Sequence, residues 1–143
     1  MTTDAELRAI LLDTRRIAVV GASNKPERPS YSVMQALLAH GYEVVPVNPG
    51  LAGQAILGQP VVATLAEAEP LDMVDVFRAS DAVGPVMQDA IRLGAKTVWM
   101  QIGVANEAAA RLGREAGLRV VMDRCPKIEL GRLQTASRAM AVR

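Results

Sequence analysis

The residues best suited to chemistry lie between positions 17 and 28. The apolar run Ile17-Ala18-Val19-Val20 ends abruptly in Gly21-Ala22-Ser23. The polar stretch Asn24-Lys25-Pro26-Glu27-Arg28 then leads into an apolar helical pattern that begins near Tyr31. A buried strand, a glycine turn and a helix in that order suit an anion. Gly21 has no Cβ, so the backbone can turn sharply and a ligand can come close. The helix beyond would aim its first N–H groups and the positive end of its dipole at the same spot, which favours a phosphate. Lys25 and Arg28 stand beside it as partners for phosphate charge.

Other chemistries find less support. A single cysteine, Cys125, leaves no internal disulfide and no cysteine zinc cluster. A single histidine, His40, argues against a His-based metal site and against a Ser-His-Asp triad. Asp75 interrupts the apolar run 73–77 and reads as a hydrogen-bonded structural carboxylate rather than a catalytic base. Lys25 lacks the flanking glycines of a P-loop. The dinucleotide fingerprint G-x-G-x-x-G keeps only its first glycine, because position 23 is Ser and position 26 is Pro. Val47-Asn48-Pro49, at the end of the second strand, offers no carboxylate for a ribose. An ordinary NAD site is therefore disfavoured, and no arginine stands at that strand end to favour NADP.

The elements that must position these residues alternate along the chain. Thr3-Asp4-Ala5-Glu6 has the pattern of a capping box and opens a short helix through Leu7, Ile10 and Leu11. Strands are expected at 17–20, Glu43–Val47, 73–77, 96–101 and 119–122, with at most a brief one at 60–63. Pro46 lacks an N–H and makes the second strand edge-like. A helix follows the Gly21 turn, capped by Ser30 or Ser32 and ended by Gly41. Residues 51–60 read as loop. Thr64 and Glu67 form a second capping box for a short helix that stops before Pro70. Further helices are expected at 82–93 and, capped by Asn106, through Ala109, Leu112 and Ala116 to Gly117.

This alternation predicts an α/β fold, doubly wound, with a mainly parallel sheet of about five strands and helices on both faces. A chain of 143 residues makes one domain, with its core at about 14–130 and 131–143 as a solvated tail. Ligands of such sheets bind outside the carboxyl ends of the strands. Those ends are Gly21-Ala22-Ser23, Val47-Asn48-Pro49, Phe77-Arg78 and Gln101-Ile102-Gly103. A net charge of +1 gives no bulk attraction for nucleic acid. The few aromatics, Tyr31, Tyr42, Phe77 and Trp99, make no stacking platform for it. No run approaches the roughly 18 apolar residues of a membrane span, and the first residues do not form a basic, apolar leader. A cytoplasmic location is expected.

Five segments in register carry a resemblance: Val20-Gly21-Ala22-Ser23, Pro46-Val47-Asn48-Pro49, Asp75-Val76-Phe77-Arg78, Trp99-Met100-Gln101-Ile102-Gly103 and Asp123-Arg124-Cys125. From about Ile17 to Leu130 the chain resembles the small bacterial and archaeal CoA-binding proteins. These share the CoA-binding Rossmann-like domain of the succinyl-CoA synthetase α subunit. The resemblance implies that Gly21, Ala22 and Ser23 hold the pyrophosphate and that Val47, Asn48 and Pro49 frame the adenosine end. It also implies that Phe77, Arg78, Gln101 and Gly103 line the path toward the pantetheine arm. Lys25 and Arg28 would meet phosphate charge. Cys125 reads either as a small buried apolar side chain or as a thiol facing the CoA thiol, with Asp123 and Arg124 paired to each other. The synthetase works through a phosphorylated histidine in a second domain, which this chain lacks, and His40 reads as a surface residue at a helix end.

The expectation is a protein that binds coenzyme A or an acyl-CoA and does no chemistry alone. The alternative is an NAD(P)-dependent oxidoreductase with an atypical fingerprint. A third reading is a regulatory module that reports CoA to a partner through homodimerisation.

Overall fold

Five apolar runs become the five parallel strands of one sheet. The computed structural model describes residues 2–133. In chain order the elements are α1 (Asp4–Asp13), β1 (Arg16–Val20), α2 (Pro29–Ala39) and β2 (Glu43–Val47). The hairpin strands β3 (Ala55–Ile56) and β4 (Gln59–Pro60) come next, then β5 (Met73–Val76) and α3 (Val83–Arg92). The chain continues through β6 (Thr97–Met100), α4 (Glu107–Glu115), β7 (Arg119–Val121) and α5 (Pro126–Arg132). The sheet order is β2-β1-β5-β6-β7. The chain adds β2 on one side of β1 and then crosses back to add β5 on the other. That makes the gap between β1 and β5 the switch point of a Rossmann-like fold.

Both faces of the sheet are covered. Leu7, Ile10 and Leu11 of α1, Val33, Met34 and Leu37 of α2, and Leu130 of α5 pack with Ile17, Val19, Met73 and Trp99 on one face. Val83, Met87 and Ala90 of α3 pack with Ala109 and Ala110 of α4 and with Ala18, Val74, Val76 and Val98 on the other. Such two-sided burial explains why the strands are apolar throughout rather than alternating. The Ala-rich helix buries Ala109, Ala110 and Gly113. Leu112, expected on that face, is exposed. Gly113 is needed there for closeness, because a Cβ would come 2.7 Å from Met87 Sδ.

Local signals are largely realised. Thr3 and Glu6 form the reciprocal capping box of α1. The Asn106 side chain accepts from the Ala109 N–H at 2.9 Å. Pro46 lies on an edge strand and turns its carbonyl outward to the Val62 N–H at 3.0 Å. Three expectations change. The 51–60 loop contains the β3–β4 hairpin. Neither Ser30 nor Ser32 caps α2: its N-cap is Arg28, with no side-chain bond, and Pro29 opens the helix. Gly131 and Arg132, expected in a solvated tail, belong to α5, where Arg132 bonds Glu129 at 2.7 Å and Asp4 at 2.8 Å and ties α5 to α1. The rest of that expected tail, 134–143, lies outside the described residues.

Two features of the central strands carry physical consequences. Gly21 has φ +85°, and a Cβ there would sit 2.3 Å from the Phe77 carbonyl oxygen. The missing side chain therefore makes room for the end of β5, not only for a ligand. Asp75 is fully buried in β5 between Val19 and Trp99, and its carboxyl oxygens have no hydrogen-bond partner among the described residues. This corrects the expected hydrogen-bonded carboxylate. Burial pushes the Asp75 carboxyl well above the usual carboxylate range.

Gly21→Ala should lower stability by about 2–4 kcal/mol, because it adds a positive-φ penalty to a backbone clash. Urea unfolding checks this, and a loss below about 1 kcal/mol would mean that the turn relaxes freely. Asp75 sets a pH dependence. Below about pH 4, near its unfolded value of 3.8, both folded and unfolded chains hold the proton. Above that the unfolded chain releases it while the folded chain keeps it. Stability from this group therefore falls with rising pH, by up to about 1.4 kcal/mol per unit, until the native carboxyl ionises. Asp75→Asn should flatten that slope and be the more stable protein at pH 7.5. Parallel slopes for the two proteins between pH 4.5 and 7.5 would contradict it.

Candidate functional site

The turn after β1 is fastened from three sides. The Gly21 N–H donates to the Val47 carbonyl at 3.1 Å, which joins the ends of β1 and β2. Asn48 donates from Nδ2 to the Ala22 carbonyl at 2.8 Å and accepts the Gly50 N–H on Oδ1 at 2.8 Å. The Ser23 N–H donates to Ser30 Oγ at 3.1 Å, and Ser23 Oγ accepts the Lys25 N–H at 3.1 Å. Ser30 thus anchors the loop to the first turn of α2 instead of capping the helix.

A second lacing fixes the ends of β5 and β6. Ser80 Oγ accepts the Ala105 N–H at 3.0 Å, and Asn106 Nδ2 donates to the Ser80 carbonyl at 2.9 Å. The Gln101 carbonyl accepts the Val104 N–H at 2.8 Å and closes a tight turn. Gly103 sits in that turn with φ +83° and donates its N–H to Asp123 Oδ1 at 2.7 Å.

Between these two lacings a cleft of about 470 Å³ opens at the switch point. Gly21, Ala22, Ser23, Lys25 and Arg28 line it from the β1 loop, with Asn48 after β2, Phe77 and Arg78 after β5, and Gln101 after β6. Val47 and Pro49 line an adjoining hollow of about 200 Å³ with Val20, Leu65, Val86, Thr64 and the carboxylate of Asp89, and Arg78 borders both spaces. Gly103 and Cys125 line neither. Gly103 shapes the turn between Gln101 and Val104. Cys125 is buried in the apolar cluster under α1, α2 and α5. Four lining residues were not singled out as site residues from sequence: Pro29, Ser30, Ile102 and Val104. Their signal is position alone, since each lies within a few residues of a strand end or helix start.

The cleft gathers cations without a carboxylate among them. Lys25, Arg28 and Arg78 are exposed, and none makes an ion pair among the described residues. The first turn of α2 has no acidic residue and no side-chain cap. The lining contains no carboxylate. Hollows of about 380 and 510 Å³ elsewhere are of similar size, but each has a carboxylate in its wall, Glu6 in one and Glu107 and Asp123 in the other. Arg124 pairs with buried Glu129 at 3.1 Å rather than with Asp123, which corrects that expected pair. His40 ends α2 at the pole opposite the cleft, its Nδ1 2.9 Å from the Ala36 carbonyl. The arrangement suits an elongated anion held by backbone amides and cations, with apolar and amide-lined space to either side.

Known proteins share this sequence and fold. The Bacillus subtilis (strain 168) protein YneT is 40% identical over 125 residues, spanning 87% of this chain and 91% of its own. The solved structure of cell-free ID.343 from Thermus thermophilus superposes with a TM-score of 0.87 at 39% identity, covering 92% of this chain and 98% of that one. A hypothetical protein from Pyrococcus horikoshii OT3 gives a TM-score of 0.87 at 39% identity over 92% of both chains. The family model described as the CoA binding domain matches residues 15–131, which takes in every strand of the sheet and the whole cleft. By that match the chain belongs to the CoA binding domain family.

Proposed function

We propose that this protein binds coenzyme A in the cleft at the carboxyl ends of β1, β5 and β6, as a binding or regulatory protein that does no chemistry alone. The observation that carries this reading is the set of three cations, Lys25, Arg28 and Arg78, unpaired among the described residues, around an uncapped helix start in a cleft without a carboxylate. Coenzyme A carries a diphosphate and a separate 3′-phosphate, so a ligand of this class brings several anionic groups to meet them. In this reading the diphosphate lies over the Gly21–Ser23 turn at the α2 N-terminus, where the Gly21 and Ser23 N–H groups are already bonded to Val47 and Ser30. The adenosine end enters the adjoining hollow, where Thr64 and Asp89 stand with Val47, Pro49 and Leu65, and Arg78 stands between the two. The cleft lining also holds no imidazole and no thiol among the described residues, so no side chain there has an ordinary pKa near neutrality. Cys125 enters neither as nucleophile nor as ligand contact.

Two measurements test the reading. Coenzyme A at a hundredfold excess over its Kd should stabilise the protein by about 2.7 kcal/mol, on the order of 8 °C in melting temperature. NAD⁺ at the same concentration should give a clearly smaller shift. A response to NAD⁺ or NADPH with none to coenzyme A would overturn the proposal. Arg78→Gln should weaken coenzyme A binding about tenfold, the scale of one charge-assisted hydrogen bond, and leave the melting temperature of the free protein unchanged. Calorimetric titration that finds equal affinities would place the phosphates away from Arg78.

A further inference from the structure

We propose that this protein grips coenzyme A by its nucleotide end and leaves the thiol in solvent, so that it takes free coenzyme A and acyl thioesters of any chain length alike. This inference rests on the coenzyme A reading and adds the ligand class to it: the coenzyme A pool as a whole rather than one thioester.

The cleft is shorter than the ligand. Its lining runs from the β1 loop across the end of β5 to Gln101, Ile102 and Val104 after β6, and takes no residue from the end of β7. β1 and β6 stand two strands apart, so that span is about 10 Å. The adjoining hollow takes its walls from the end of β2 and from residues 63–65. With adenosine placed there, the arm beyond the diphosphate runs the other way, toward β6. That arm has roughly twelve chain atoms, as many as four peptide residues, and so reaches about 14 Å when extended. Its last two carbons and the sulfur therefore pass beyond the cleft.

No acyl pocket waits there. Ile102 at the lip is 57% exposed, and Gly103 beside it is exposed as well. The Gly103 N–H donates to Asp123 Oδ1 at 2.7 Å, and the Asp123 N–H donates to the Val104 carbonyl at 3.2 Å. The cleft thus ends against bonded backbone rather than in a side-chain pocket. The hollow on the far side of these bonds is lined by Glu107, Arg114, Asp123 and Arg124, and Met122 is the only large apolar side chain in its lining among the described residues. An acyl chain laid there would strip water from charged groups and offer them no partner. Cys125 is 5% exposed under α5 and lines none of these spaces, so it does not meet the ligand's sulfur. Enclosure would leave a large signature. Each methylene taken from water changes affinity about fourfold, so the four that separate hexanoyl from acetyl would change it more than about a hundredfold.

Two measurements on the native full chain test this. Calorimetric titration with coenzyme A, acetyl-coenzyme A and hexanoyl-coenzyme A should give dissociation constants within about fivefold of one another. The second measurement reads the thiol directly. Coenzyme A, with enough protein present to bind nearly all of it, is treated with iodoacetamide. The alkylated coenzyme A is followed by mass spectrometry, which keeps Cys125 out of the signal. Its rate of formation should stay within about fivefold of that for free coenzyme A, whereas a shielded thiol would react only through the small free fraction. A spread above about fivefold in the titrations, or a slowing of alkylation beyond about fivefold, would overturn this inference and leave coenzyme A binding standing. Failure of the native protein to bind any of the three ligands would instead remove the underlying reading, and this inference with it.

Discussion

The carboxyl edge of the sheet depends on how closely Gly21 approaches the Phe77 carbonyl. A Cβ at Gly21 would stand 2.3 Å from that oxygen, so only glycine lets β1 and β5 remain adjacent right to their ends. The same residue donates to Val47 and so joins β2 to the turn. Three strand ends thus meet at one backbone position. The cleft is what remains above it once the chain has turned toward α2 on one side and toward α3 on the other.

Charge is paired over part of the surface and unpaired around the cleft. Several basic residues elsewhere have acidic partners: Arg16 with Glu43, Lys96 with Asp72, Arg119 with Asp13, Arg124 with Glu129 and Arg132 with Asp4. At the amino edge Asp72 goes further. Burial acts against its charged form, but the Arg16 and Arg15 N–H groups and the Lys96 ammonium outweigh that and hold its carboxyl below the usual range. The cations of the cleft have no such partners. Unmatched cations gathered around a cleft lined by no carboxylate suit an anion that arrives from outside. Uncharged polar groups divide similarly. Most are bonded within loops and caps, whereas the Gln101 oxygen is buried without a donor beside the cleft. Asp75 and Thr97, on the same face of the neighbouring register, are unpartnered as well, and that leaves the central strands with polar cost that their packing must offset.

Much of this was legible in the chain. Unbroken apolar runs, each followed by a glycine or polar turn, determined a parallel sheet with both faces covered, because such strands cannot show one face to water. Thr3 with Glu6 and Asn106 with Ala109 determined where two helices begin, since a cap needs only neighbours three residues away. The order Val20-Gly21-Ala22-Ser23 located the glycine turn after β1 for the same local reason. Tertiary structure alone decided the rest. Ser30 became an anchor for Ser23 rather than a helix cap, Arg124 chose Glu129 over Asp123, and Gly131 and Arg132 joined a helix that Asp4 holds. It also decided that Gly103 and Cys125 stay out of the cleft lining and that, among the described residues, Asp75 has no partner and Gln101 keeps a buried oxygen unpaired. Each of these depends on which groups from distant segments come within hydrogen-bond range. That distance is set by the packing of helices on the sheet, and nothing in local spacing specifies it.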